Sequence, residues 1–243
     1  MKRSAAQGFT PAGRLIVALD VTTLASAMTL ARQLRSLVHT VKIGSVLFTA
    51  CGTTAIQRLR SLGFEVMLDL KFYDIPSTVE LSCQAAARAR VSMFTVHASG
   101  GPAMLEAAVR GARRESRRLA TPPPQVIAVT ILTSRAEGKA STVRAHVMRL
   151  AHAAAEAGCD GVVASAQEAP LLKRRFGKRL RIVCPGIRLP NAQRGDQARV
   201  CTPAEALWRG ADALVVGRPI TAARVPRAAA QQILDDMKGA NVC

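Results

Sequence analysis

Eight short apolar runs recur along the chain at intervals of roughly 20–35 residues, and this alternation limits the possible folds more than any other feature. They are Arg14–Leu19 (RLIVAL), Thr40–Gly44 (TVKIG), the run opening at Val66, Ser92–His97, Gln125–Leu132 (QVIAVTIL), Asp160–Ala164, Leu180–Cys184 and Ala213–Val216. Short, nearly continuous apolar runs of this kind read as parallel strands buried on both faces. The segments between them carry helix signals. Thr22 and Thr23 cap a helix reaching Leu37, and one helix runs from after Gly44 to about Leu62 and stops at Gly63. Pro76 opens a helix to about Arg90, Gly100-Gly101-Pro102 starts one ending near Arg118, and Gly158 closes Ser141–Ala157. A further helix covers about Gln167–Arg175, Thr202-Pro203 starts the next, and the last ends near Lys238. Strand–helix alternation implies a parallel sheet, and eight units close it into an α/β fold, the (β/α)8 TIM barrel, usually of about 250 residues. The 243 residues therefore read as a single domain over 13–243, preceded by a disordered tail over 1–12.

Hydrophobic residues make up 49% of the chain and aromatic ones 3%, so the core must be built from Leu, Val, Ile and Ala. The 34 Lys and Arg against 16 Asp and Glu give a net charge of +18, which raises the question of a polyanionic partner. The excess is mostly Arg on predicted helices: Arg58 and Arg60, Arg88 and Arg90, Arg110 to Arg118, Arg174 and Arg175. One Trp and one Tyr supply no stacking platform for bases, so these read as solvated helix faces and no nucleic-acid partner is expected. Six cysteines show no C-x-x-C spacing and read as reduced thiols, with no metal site. The amino terminus has no apolar signal region and no run approaches 18 apolar residues, so a cytoplasmic protein with no membrane segment is expected.

The charges that matter gather at the carboxyl ends of the strands. In Val66–Thr78 (VMLDLKFYDIPST), alternation puts Met67, Asp69 and Lys71 on one face and Leu68, Leu70 and Phe72 on the other. Asp74 falls just past the strand. Lys42 is a lone charge on the lumen face of its strand, and Asp20 ends the first strand. Asp20 reads as a substrate contact, with a helix N-cap as the plain alternative. His97 ends the fourth strand and reads as structural. Thr133 follows the fifth strand and is as suited to bonding within its own loop as to a substrate. Gly217-Arg218, between the last strand and a helix start, suits an anion, and Arg188 and Gln197 in the loop 185–199 are placed to cover it. Alternating acids and amines keep several ions charged in a confined site. The other mouth of the barrel shows no comparable cluster in the sequence.

These residues resemble the orotidine 5′-phosphate decarboxylase family over about residues 14 to 237. DLKFYDIPST is similar to the family's D-x-K-x-x-D-I-P-N-T, joined by ALD, VKIG, TILTS, PGIR, GDQ-x-R and VVGRPIT in the family's order. Ser77 stands where the family usually has Asn, Tyr73 where some members have His, and Val225-Pro226 where Asp-Pro is common. The resemblance implies conversion of orotidine 5′-monophosphate to uridine 5′-monophosphate and CO2, the last step of pyrimidine nucleotide synthesis, with no metal or coenzyme. It implies that Lys71 protonates C6, that Asp69 lies against the departing carboxylate, and that Lys42 binds between the ribose and the charged row. It further implies that Asp20 holds ribose hydroxyls and that Thr133 contacts the base. Arg188, Gln197, Gly217 and Arg218 would hold the phosphate. Asp74 and Thr78 would act in the partner's site of a homodimer. Hexulose-phosphate synthases and keto-gulonate-phosphate decarboxylases share D-x-K-x-x-D and use Mg2+. The GIR and GDQ elements favour the pyrimidine enzyme.

Overall fold

A computed structural model describes residues 10–131, 140–189 and 201–239. Eight parallel strands close into a barrel in chain order, with the last bonded to the first. They are β1 (Leu15–Ala18), β2 (Thr40–Gly44), β3 (Glu65–Phe72), β4 (Met93–His97), β5 (Gln125–Val129), β6 (Gly161–Val163), β7 (Arg181–Cys184) and β8 (Ala213–Val216). A one-turn helix, α1 (Pro11–Arg14), precedes β1, and α2 (Leu24–Leu34) follows it. After β2 come α3 (Ser45–Cys51) and α4 (Thr53–Ser61). Then α5 (Pro76–Arg88), α6 (Pro102–Arg118), α7 (Ala140–Glu156), α8 (Ala169–Phe176) and α9 (Pro203–Trp208) follow β3 to β7 in turn. After β8 the chain forms α10 (Arg218–Thr221) and α11 (Pro226–Gly239).

Strand alternation divides the core into two layers. Ile16, Met67, Met93, Ile127, Val183 and Ala213 fill the lumen, with Val163 and Val215 beside them. Their strand neighbours, such as Leu15, Val17, Val66, Leu68, Phe94 and Leu214, point outward under the helices. A fully buried Leu, Ile, Val or Phe contributes about 1.5–3 kcal/mol, so the far more populous outer layer carries most of the hydrophobic stability. The lumen can therefore give up positions to polar groups near its carboxyl mouth. On β2, Val41 and Ile43 join the outer layer and Lys42 takes the inward position.

Three expectations need correction. The helix after β2 is two helices, because Gly52 breaks it with φ 55° and ψ −146°, a conformation that strains any side-chain-bearing residue. Residues 11 and 12 belong to α1 and not to a tail, since the Thr10 side chain accepts the Gly13 N–H at 3.2 Å and caps that turn. The amino-terminal mouth is also charged. Arg14 donates to the carbonyls of Asp212 and Ala211, Lys173 pairs with Asp212 at 2.6 Å, and Arg181 donates to Gln125 at 3.0 Å. Asp212 and Asp160 each accept the amide of the second residue of a strand, from Ile182 of β7 at 2.9 Å and Val126 of β5 at 2.8 Å. Here the charges satisfy strand ends and each other.

Several arginines of the Arg-rich helices are paired with carboxylates or bonded to backbone. Glu80 of α5 takes Arg110 at 2.7 Å, and buried Glu115 of α6 takes Arg88 at 3.0 Å and Arg118 at 2.7 Å. The hydrogen bond from Arg118 is the largest influence holding the Glu115 carboxyl down at about 2, with Arg88 adding to it against the effect of burial. Arg113 and Arg179 donate to the carbonyls of Gly158 and Ala155. No helix among the described residues is long and apolar enough to cross a membrane.

Candidate active site

The site begins with an irregularity in β3. Met67 pairs with Met93 and Leu68 with Phe94, yet Phe72 pairs with Val96. From Leu68 to Phe72 is four steps, and from Phe94 to Val96 is two, so β3 bulges by two residues where Asp69, Leu70 and Lys71 sit. Lys71 is driven into the left-handed region at φ 50°. That conformation costs an L-residue about 1–2 kcal/mol and persists only where the surroundings impose it. Simple alternation put Asp69 and Lys71 on one side; the bulge brings their charged ends together by a different route.

The result is a continuous row of alternating charge. Lys42 Nζ lies 3.1 Å from Asp20 Oδ1 and 3.3 Å from Asp69 Oδ2, and Lys71 Nζ lies 3.0 Å from Asp69 Oδ1. Lys42 is only 7% exposed. A buried ammonium without partners would cost several kcal/mol, and two carboxylates offset that cost. Burial alone would raise the Asp69 pKa. Lys42 and then Lys71, with hydrogen bonds from Lys71 and Thr95, outweigh it and hold the carboxyl below its ordinary value. Because the folded pKa is depressed, the stabilisation from this ionisation is complete above the ordinary carboxylate range. It is lost as pH falls through the lowered folded value.

Asp20 serves the row and not the helix, since Thr23 caps α2 by accepting the Ser26 amide at 3.2 Å. Two contributors were not legible in the sequence. Thr95 is fully buried on β4 and bonds to both Asp69 and Lys71. Gly44 makes room for the row: a Cβ there would lie 2.8 Å from Asp20 Oδ1 and 3.1 Å from Lys42 Nζ. The glycine closing VKIG, two residues past the inward Lys42 and on the same face of the strand, is the one trace of this in the sequence.

Other expected residues stand apart from the row. Asp74 is exposed, and its carboxylate accepts the amide of Ile75 at 2.6 Å. Thr78 is exposed on the first turn of α5. His97 lies at the rim, its ring 5.6 Å edge-on from that of Tyr73. Burial first, and Lys71 second, lower its pKa against the pull of Asp69, which favours a neutral imidazole. Thr133 and Gln197 lie outside the described residues.

Across the mouth, Arg188 follows β7 and Arg218 opens α10 directly after Gly217. Burial lowers the Arg188 pKa, and the charge of Arg218 lowers it further, so the two guanidiniums are close enough to repel. Such a pairing of cations is relieved by an anion between them. α10 has only four residues, so its dipole adds little, and attraction for an anion at this place would come from the guanidiniums. The base of the loop carrying Arg188 is pinned by Arg188 N–H to Cys201 O at 3.0 Å and Cys201 N–H to Gly186 O at 3.3 Å.

The sequence model of the "Orotidine 5′-phosphate decarboxylase / HUMPS family" matches residues 13–233. A relative from Halorhodospira halophila is 47% identical over 234 residues, covering 93% of this chain and 97% of its own. One from Syntrophotalea carbinolica is 46% identical over 233 residues, covering 93% and 96%. Both are named orotidine 5′-phosphate decarboxylase. The crystal structure of the Lactobacillus acidophilus protein of that name superposes with a TM-score of 0.77 at 33% identity, covering 92% of this chain and 98% of the other. The Pyrococcus horikoshii protein of that name gives 0.75 at 26% identity, covering 93% and 99%. With a closed eight-stranded barrel, a charged row at its carboxyl mouth and close relatives along nearly its full length, the chain belongs to the orotidine 5′-phosphate decarboxylase / HUMPS family.

Proposed function

We propose that this protein decarboxylates orotidine 5′-monophosphate to uridine 5′-monophosphate and CO2, with Lys71 as the proton donor and without metal or coenzyme. The observation that carries this reading is the unbroken row Asp20–Lys42–Asp69–Lys71 at the carboxyl mouth. When the bond between C6 and the carboxylate breaks, its electron pair stays on C6 and CO2 leaves. The Lys71 ammonium stabilises that pair as it forms and then gives C6 a proton, and the resulting amine is reprotonated from solvent. Asp69 orients Lys71 through the 3.0 Å ion pair and faces the departing carboxylate. Lys42 and Asp20 orient the ribose, Thr133 contacts the base, and Arg188, Arg218, Gln197 and Gly217 hold the phosphate. Binding energy gathered at the phosphate is available to organise the charged row for the distant bond.

Two further features support the reading in detail. The Lys42 ammonium sits between the carboxylates of Asp20 and Asp69, at 3.1 and 3.3 Å, where a divalent cation would need both of them. Beside the exposed Asp74 and Thr78 stand three exposed apolar side chains, Tyr73 (62%), Ile75 (63%) and Leu81 (65%). A second copy covering them would carry Asp74 and Thr78 toward its own barrel mouth, giving a cytoplasmic homodimer with shared sites.

The test is the fall in absorbance of orotidine 5′-monophosphate, run with and without EDTA. Turnover that is insensitive to EDTA is expected. Activity lost to EDTA, or found only on hexulose or keto-gulonate phosphates, would transfer the chain to the Mg2+-dependent sister enzymes.

A further inference from the structure

Thr95 occupies an unusual place in the barrel. It is the single β4 residue between Phe94 and Val96, the positions that pair with Leu68 and Phe72 on either side of the β3 bulge. The regular backbone ladder therefore lapses where the charged pair is built, and a side chain bridges the gap. The Lys71 backbone N–H donates to Thr95 Oγ1 at 2.9 Å, and Thr95 Oγ1 donates to Asp69 Oδ1 at 2.8 Å. The direction of this relay is fixed. An amide N–H can only donate, so the hydroxyl must accept from Lys71, and its own proton is left for the carboxylate. The same Asp69 oxygen also receives Lys71 Nζ at 3.0 Å. One buried hydroxyl thus closes a ring through the backbone of Lys71, its side chain and the carboxylate of Asp69.

We propose that Thr95 is a positioning residue for proton transfer, holding Lys71 in its left-handed backbone conformation and fixing the Asp69 carboxylate against its ammonium. The role rests on the reading of Lys71 as proton donor. Thr95 acts through these two residues. It matters because a reacting group displaced by about 1 Å can lose about 100-fold in rate, while substrate affinity is set elsewhere at the phosphate. Threonine is a common strand residue, and a purely structural Thr95 would affect folding without a selective effect on turnover. The bond to Asp69 makes a further distinction, because it is among the influences that keep this carboxyl ionised.

The test compares Thr95→Val, which keeps the shape and removes the hydroxyl, with Thr95→Ser, which keeps the hydroxyl. For Thr95→Val, kcat on orotidine 5′-monophosphate is expected to fall about 10–100-fold with KM within about threefold. The acid limb of its pH–rate profile should move to higher pH. Thr95→Ser should recover kcat to within about threefold of wild type. Thr95→Ala paired with Thr95→Ser isolates the same hydroxyl if the valine protein does not fold. Wild-type kcat in the valine or alanine variant, or equal impairment of the serine variant, would overturn the positioning role. Absence of turnover by the wild-type protein would instead overturn the reading of the site itself, so the two failures are distinguishable.

Discussion

Lys71→Ala is expected to abolish measurable decarboxylation while leaving the barrel folded. A positioned proton donor contributes about 10²–10⁴-fold, and removing a charge aimed at the developing anion costs about 10²–10³-fold more, so the combined loss should be about 10⁴-fold or greater. The fold should survive because the Lys71 side chain is part-exposed, and Asp69 keeps Lys42 at 3.3 Å and the Thr95 hydroxyl at 2.8 Å. Alanine tolerates φ 50° no worse than lysine does, so backbone strain is unchanged. A melting temperature near that of the wild type, with no turnover, is the predicted pair of results. The same variant examines the dimer. Mixed and reassociated with an Asp74→Ala protein, which is expected to be inactive alone, it should restore about a quarter of the wild-type sites if each site takes Lys71 from one subunit and Asp74 from the other of a symmetric pair. Normal turnover by Lys71→Ala would remove it as proton donor, and mixing without recovery would place Asp74 within its own subunit's site.

Arg188→Ala and Arg218→Ala should act differently. Each removes a charge-assisted contact worth about 1.5–3 kcal/mol, so kcat/KM on orotidine 5′-monophosphate should drop about 10–100-fold per substitution. On orotidine without its phosphate, variant and wild type should perform alike, because the lost contact has no counterpart there. The part-buried Arg188, close enough to Arg218 for that charge to lower its pKa, is the reason for expecting so selective an effect. Equal losses on both substrates would mean that these arginines shape the barrel mouth and do not hold an anion.

The fold was open to sequence reasoning where local rules act alone. β2 and β8 are legible to the residue, because the apolar run ends in both at a glycine: Gly44 closes β2, and Gly217 follows Val216. Lys42 was legible as a charge on an otherwise buried face, and it is the centre of the observed row. Features that depend on two distant segments were not. The β3 bulge appears only when β3 is paired with β4, and Thr95, an ordinary strand residue by composition, gains its role from that mismatch. The plug of the amino-terminal mouth joins Arg14 to Asp212 across 198 positions, so no local pattern announces it. Gly52 reads as an ordinary helical residue because the apolar periodicity continues on both sides of it, in Leu47 and in Ala55, Ile56 and Leu59.

The account is tested most directly by a crystal structure with uridine 5′-monophosphate bound. It predicts the pyrimidine C6 against Lys71 Nζ, the ribose beside Asp20 and Lys42, and the phosphate between the guanidiniums of Arg188 and Arg218. A nucleotide bound elsewhere on the barrel, with the row Asp20–Lys42–Asp69–Lys71 turned to solvent, would contradict it.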